Sequence, residues 1–144
     1  MTKFQRRHPR ERGMTLIEIL VVLVLIGVVM GIVGSKFIGQ GEKAKADAAK
    51  IEINQIGNTL DLYKLEVGQY PTTSEGLQAL ITAPSGVSNW NGPYWKNTTL
   101  PKDPWGHEYK YSSPGTHGTA YDIVSLGADG REGGEGPNKD ITSW

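Results

Sequence analysis

Residues 13–35 read GMTLIEILVVLVLIGVVMGIVGS, and the reading of this stretch decides the fold. From Ile19 to Ser35 there are 17 residues without a charge. An apolar helix of about 20 residues crosses the hydrocarbon layer of a bilayer, so this stretch is expected to span a membrane. Upstream, residues 1–13 carry Lys3, Arg6, Arg7, Arg10 and Arg12 against Glu11 alone. Positive charge on the N-terminal side predicts a cytoplasmic N terminus, with the rest of the chain on the other side of the membrane. A secretory signal peptide would have a shorter apolar core closed by an A-x-A-like site, and no such site follows here.

Glu18 sits inside the apolar run. A carboxylate there costs about 2.5–3.5 kcal/mol on insertion scales, and such a residue usually has a partner or a function. The next downstream cation is Lys36, about 27 Å along a helix rising 1.5 Å per residue. The expectation is therefore a partner from another chain, or from an amine created by cleavage just upstream. Gly27 and Gly31 form a G-x-x-x-G pair, which lets helices approach closely in a membrane.

Arg12-Gly13-Met14-Thr15-Leu16-Ile17-Glu18 resembles the class III signal of type IV prepilins and pseudopilins. The resemblance implies that a prepilin peptidase cuts between Gly13 and Met14 and methylates the new amine of Met14. It further implies that Glu18 pairs with the Met14 amine of a neighbouring subunit in the apolar core of a filament. Met14 stands where the family usually has phenylalanine.

Beyond the apolar run, Ile53, Ile56, Leu60, Tyr63 and Val67 recur at spacings of 3 and 4, one apolar stripe on a helix. Gly68 is a natural stop. One helix is expected from about Thr15 to Val67. Thr72 and Glu75 have capping-box spacing ahead of a short helix that buries Leu77, Leu80 and Ile81. Asp103-Pro104-Trp105-Gly106 reads as a turn. Glu108–Tyr111 and Tyr121–Ser125 read as short strands. The fold class is thus α+β: a long N-terminal helix, transmembrane in its first half, packed by its second half on a small antiparallel sheet. The expected divisions are a leader over 1–13, a transmembrane and polymerisation helix over 14–35, and a periplasmic domain over 36–144.

Several phrases, among them Tyr70-Pro71-Thr72, Leu100-Pro101-Lys102-Asp103-Pro104-Trp105-Gly106 and Ser125-Leu126-Gly127-Ala128-Asp129-Gly130, resemble the major pseudopilins of type II secretion systems. The resemblance covers nearly the whole chain in order and implies a type IV pilin-like fold. It implies a structural subunit that polymerises into a periplasmic pseudopilus and helps export folded proteins across the outer membrane. The partners implied are further copies of this chain, minor pseudopilins, the prepilin peptidase and the inner-membrane assembly platform. Two other readings compete. One is a type IV pilus subunit, against which the absence of cysteine argues. The other is a membrane-tethered calcium-binding module that does not polymerise.

The segment Leu126–Asp140 offers Asp129, Glu132, Glu135 and Asp140 among many glycines. Calcium takes 6–8 oxygens, from carboxylates and carbonyls together. The spacing fails as an EF-hand, because Arg131 and Gly133 occupy ligand positions. On the residues alone this is a solvated acidic loop. The pseudopilin resemblance implies a structural calcium ion held by the Leu126 carbonyl, Asp129 and Asp140, with Glu132 and Glu135 as weaker ligands. Some family members have two adjacent acids where this chain has Lys139-Asp140.

Composition narrows the remaining classes. The chain lacks cysteine, which excludes disulfides and thiol chemistry. Beyond residue 13 it holds 10 basic and 14 acidic side chains, the wrong balance for a nucleic-acid surface, and no nucleic-acid partner is expected. His107 and His117 lie in turn-like segments and read as exposed polar residues. No H-E-x-x-H, G-x-S-x-G or Walker pattern is present, and no enzymatic activity is expected. The tryptophans are expected to pack on the core and domain edges.

Overall fold

The computed structural model describes residues 13–144, apart from the side chains of residues 35–38. Residues 1–12, all but the last residue of the expected leader over 1–13, lie outside the described residues. The chain divides into two compact units, residues 1–39 and 40–144.

Helix α1 spans Leu16–Val67. Its start has a local cause. The Glu18 N–H donates to Thr15 Oγ1 (3.3 Å) and the Thr15 N–H donates to Glu18 Oε2 (3.4 Å). This is a reciprocal capping box, which satisfies two of the orphan donors of a helix N terminus. Its end is equally local. Gly68 takes a left-handed φ of 96°, and its N–H donates to the Lys64 carbonyl at 2.8 Å. That is the conformation a helix C terminus assigns to glycine.

In the unit formed by residues 40–144, the expected stripe is the core. Ile53, Ile56, Leu60 and Tyr63 are buried, and Val67 is half-buried against them. They pack with Leu77, Ala79, Leu80, Tyr109 and Ile123. The polar side of α1 is also used. Glu42 accepts from Trp105 Nε1 (2.8 Å), Glu52 from the Tyr109 hydroxyl (2.5 Å), Asp61 from Tyr70 (2.7 Å) and Glu66 from Tyr94 (2.8 Å). Four carboxylates of one helix thus fasten the chain that returns over it. The bond to Asp61 pushes the Tyr70 phenol up to about 12, because ionisation would set two negative charges side by side.

The sheet has three antiparallel strands in the order β1 (Lys110–Ser112), β2 (Asp122–Ser125) and β3 (Ile141–Thr142). Tyr111 lies opposite Ile123, and Ser125 opposite Ile141. Tyr111, Ile123 and Ile141 face the core. The architecture is the expected one, a long N-terminal helix on a small antiparallel sheet.

Several local expectations shift. The first strand begins at Lys110 rather than Glu108, because Glu108 forms an isolated bridge with Lys102. Strand β3 was not expected. The helix after Thr72 is a single 3-10 turn, Leu77–Leu80, with Ile81 half-buried just beyond it. Both capping-box bonds form, Thr72 N–H to Glu75 Oε2 (2.7 Å) and Glu75 N–H to Thr72 Oγ1 (3.3 Å), but they close a turn ahead of that helix. Asp103–Gly106 is a turn as expected, closed by the Gly106 N–H on the Asp103 carbonyl at 2.8 Å.

Candidate functional site

Two regions carry the residues singled out from the sequence. In the first unit, α1 is long and apolar enough to cross a membrane, and none of that stretch is buried within the chain. Leu16 is 83 % exposed and Met30 68 %. So large a continuous apolar surface requires lipid or other chains to cover it. A methyl group added at Gly27 or Gly31 would meet nothing within 4 Å. These glycines therefore serve no packing inside the chain and leave a smooth face for another helix.

Glu18 differs from its expected role in one respect. Its carboxylate already has a partner in its own chain, the Thr15 amide. The carboxylate sits at the positive end of the helix dipole, where negative charge is stabilised. Gly13 and Met14 lie immediately before it, so cleavage between them would place the new amine one residue upstream of the amide that Glu18 already holds.

The second region is the loop between β2 and β3. Its start is built from buried polar groups. Asp103 and Ser125 are buried, and the Ser125 hydroxyl donates to Asp103 Oδ2 at 2.7 Å. The other oxygen, Asp103 Oδ1, accepts from the Trp105 N–H (3.1 Å) and the His107 N–H (2.8 Å). Gly127 has a φ of 63°, and a methyl group there would stand 2.9 Å from the Pro137 carbonyl oxygen. Beside it, the Ala128 N–H donates to that same oxygen at 3.0 Å, drawing the two ends of the loop together.

The acidic residues separate into distinct roles. Glu132 pairs with Lys110 at 2.9 Å, which lowers the Glu132 carboxyl below its ordinary range. Asp129 Oδ1 accepts from the Arg131 N–H at 3.1 Å. Asp140 Oδ2 accepts from the Gly133 N–H at 2.9 Å, whereas its Oδ1 is buried without a hydrogen-bond partner. A buried carboxylate oxygen lacking a donor is costly, and a cation would satisfy it. Glu135 is exposed. Among the described residues, no three His, Cys, Asp or Glu side chains converge to hold a metal ion. A cation here would therefore draw on backbone carbonyls as well as on Asp129 and Asp140, which suits calcium rather than a transition metal.

His117 is exposed in a turn-like segment as expected and His107 is half-buried, but both make specific contacts. His107 Nδ1 lies 3.0 Å from the Gly127 carbonyl. His117 Nδ1 lies 2.9 Å from Asp122 Oδ2, and its ring stacks on Trp144 at 3.7 Å. Among the tryptophans, Trp90 and Trp95 pack on the core as expected. Burial pushes the Asp122 carboxyl up, but bonds from Thr119, His117 and Thr116 outweigh it and hold it below its ordinary value of 3.8. A depressed carboxyl stabilises the fold fully above that value, and the contribution is lost as pH falls below it. We expect unfolding midpoints to drop below about pH 4, and an Asp122→Asn variant to be less stable at neutral pH with a flatter profile in that window. An equal acid slope in the variant would contradict this.

Comparison with known proteins follows the same division of the chain. Residues 36–144 match the family model described as type II secretion system protein G. Residues 8–34 match the prokaryotic N-terminal methylation motif. The chain is 46 % identical over 142 residues to the type II secretion system core protein G of Vibrio cholerae, covering 96 % of this chain and 95 % of that one. It is 44 % identical to the core protein G of Pseudomonas aeruginosa, covering 97 % and 98 %. Its fold matches the crystal structure of the major pseudopilin from the type 2 secretion system of enterohaemorrhagic Escherichia coli. The TM-score is 0.64 at 34 % identity, covering 74 % of this chain and 92 % of that one.

Proposed function

We propose, from the premise that this chain belongs to the type II secretion system protein G family, that it is a structural subunit of the periplasmic pseudopilus. It helps export folded proteins across the outer membrane, and its role is architectural rather than catalytic. The observation that carries this reading is the uncovered apolar stretch of α1, with one carboxylate, Glu18, near its start and a match to the N-terminal methylation motif across it.

Before assembly, lipid covers that helix. The basic leader holds the N terminus in the cytoplasm and the C-terminal unit faces the periplasm. The prepilin peptidase cuts after Gly13 and methylates Met14. The helices of successive copies then leave lipid for one another, and Glu18 of one copy meets the Met14 amine of its neighbour. Minor pseudopilins and the inner-membrane assembly platform are the further partners. Deletion of the gene is expected to leave the system's cargo in the periplasm, and the wild-type gene to restore export. Undiminished export without the gene would overturn the reading.

The loop between β2 and β3 is the second site. The unpartnered Oδ1 of Asp140 supports a structural calcium ion there, held by Asp140, Asp129 and the Leu126 carbonyl. Glu132, drawn away by Lys110, and the exposed Glu135 are weaker candidates. The ion offsets carboxylate repulsion and ties down a segment with few apolar side chains of its own.

A further inference from the structure

The Asp103-Pro104-Trp105-Gly106 turn and the Ser125–Gly130 segment are far apart in sequence and meet at one buried hydrogen bond, Ser125 Oγ to Asp103 Oδ2. Asp103 is an acceptor there, so the Ser125 hydroxyl must spend its proton on it. The hydroxyl lone pairs are left to accept, and the Gly127 N–H donates to them at 3.4 Å. In a trans peptide the carbonyl points opposite to the N–H. Fixing the Gly127 N–H toward Ser125 therefore fixes the Leu126 carbonyl, which lies in the same peptide plane, pointing the opposite way.

The next peptide is held as well. The Gly127 carbonyl can only accept, so His107 Nδ1, at 3.0 Å, carries the proton. Asp103 Oδ2, 3.8 Å from the same nitrogen, favours that arrangement. The His107 ring also backs onto Gly130, where an added methyl would stand 3.2 Å from its Nε2. His107 and Ser125 thus set two consecutive peptide planes at the mouth of the loop, and Asp103 aims both.

We infer that Asp103, Ser125 and His107 are positioning residues for the cation loop, preorganising the Leu126 carbonyl before calcium arrives. This inference rests on the calcium reading above. Residues that orient a metal's ligands without touching the metal typically change its affinity by about 10–100-fold when altered. Backbone carbonyl ligands have no side chain to re-aim them, so the planes must be set in advance.

The test is calorimetric titration of calcium into the full-length chain in detergent micelles, with melting curves in chelator alongside. His107→Phe keeps a ring over Gly130 but loses the donor, and Ser125→Ala loses the relay. His107→Asn can return an N–H near the place of Nδ1. The dissociation constant should rise about tenfold or more in His107→Phe and Ser125→Ala and stay close to wild type in His107→Asn. If the wild type binds calcium and all three variants bind it equally well, positioning is overturned while the calcium site stands. Equal loss of melting temperature with calcium and with chelator, at unchanged affinity, also overturns it. A wild type that binds no calcium overturns the site and this inference together. Should Ser125→Ala not fold, the contrast between the two His107 variants decides.

Discussion

Replacing Glu18 by alanine is expected to abolish pseudopilus assembly and export while leaving the chain cut and inserted in the membrane. The loss has two physical parts of unequal size. One of the two capping-box bonds, Thr15 N–H to Glu18 Oε2, disappears, while Thr15 Oγ1 still accepts from the backbone N–H of residue 18; the loss of one such bond costs about 0.5–1.5 kcal/mol. The larger part falls on the assembled state. On the proposed pairing, loss of the carboxylate would leave the Met14 amine of the neighbouring copy unpaired in an apolar bundle, and breaking a buried pair costs about 3–5 kcal/mol. At 1.4 kcal/mol per decade, each interface weakens by more than about a hundredfold, and a filament repeats that loss at every subunit. Glu18→Gln separates the two parts, since glutamine serves in a capping box but carries no charge. It should retain the helix start and still fail to assemble. Sheared-filament yield and export by cells carrying each variant are the readouts. Normal filaments from Glu18→Gln would show that the cap, and not the ion pair, is what assembly requires.

Withdrawal of calcium is expected to have the next largest effect. An ion bound only to the native state at a hundred times its dissociation constant stabilises it by about 2.7 kcal/mol. The melting temperature of the full-length chain in detergent should therefore rise with added calcium and fall with chelator. Asp140→Ala should remove the dependence, because Asp140 Oδ1 is the buried oxygen that lacks a donor. Asp129→Ala should remove it as well, whereas Glu132→Ala should largely preserve it, since Glu132 is committed to Lys110. Identical melting curves with calcium and chelator would exclude the site.

The parts of the fold legible in the sequence are those with a local cause. Helix α1 declares itself by an uncharged run and then by a 3–4 spacing, and Gly68 ends it through its own backbone conformation. The turn at Asp103–Gly106 is written in its proline and glycine. Strand β3 is different: two residues, Ile141 and Thr142, have no periodicity, and they become a strand only because the loop returns them to β2. The shift of β1 from Glu108 to Lys110 has the same origin, in the bridge that Glu108 makes with Lys102.

The sites divide in the same way. Met14 and Glu18 stand out by position and charge. The capping spacing from Thr15 to Glu18 is equally visible, and it gives the Glu18 carboxylate a partner within its own chain that is far nearer than Lys36. The acids of the loop could be named, but not which oxygen lacks a donor. Asp103, Ser125 and His107 carry no metal-ligand signal, since their roles arise where the turn meets the sheet.

Assembly through Glu18 is proposed to depend on the amine that cleavage at the Gly13-Met14 junction creates. The most direct measurement is the intact mass and N-terminal sequence of subunits recovered from sheared filaments. Subunits beginning at Met14 and carrying one added methyl group are the predicted result. Filaments built from chains that retain residues 1–13 would contradict it.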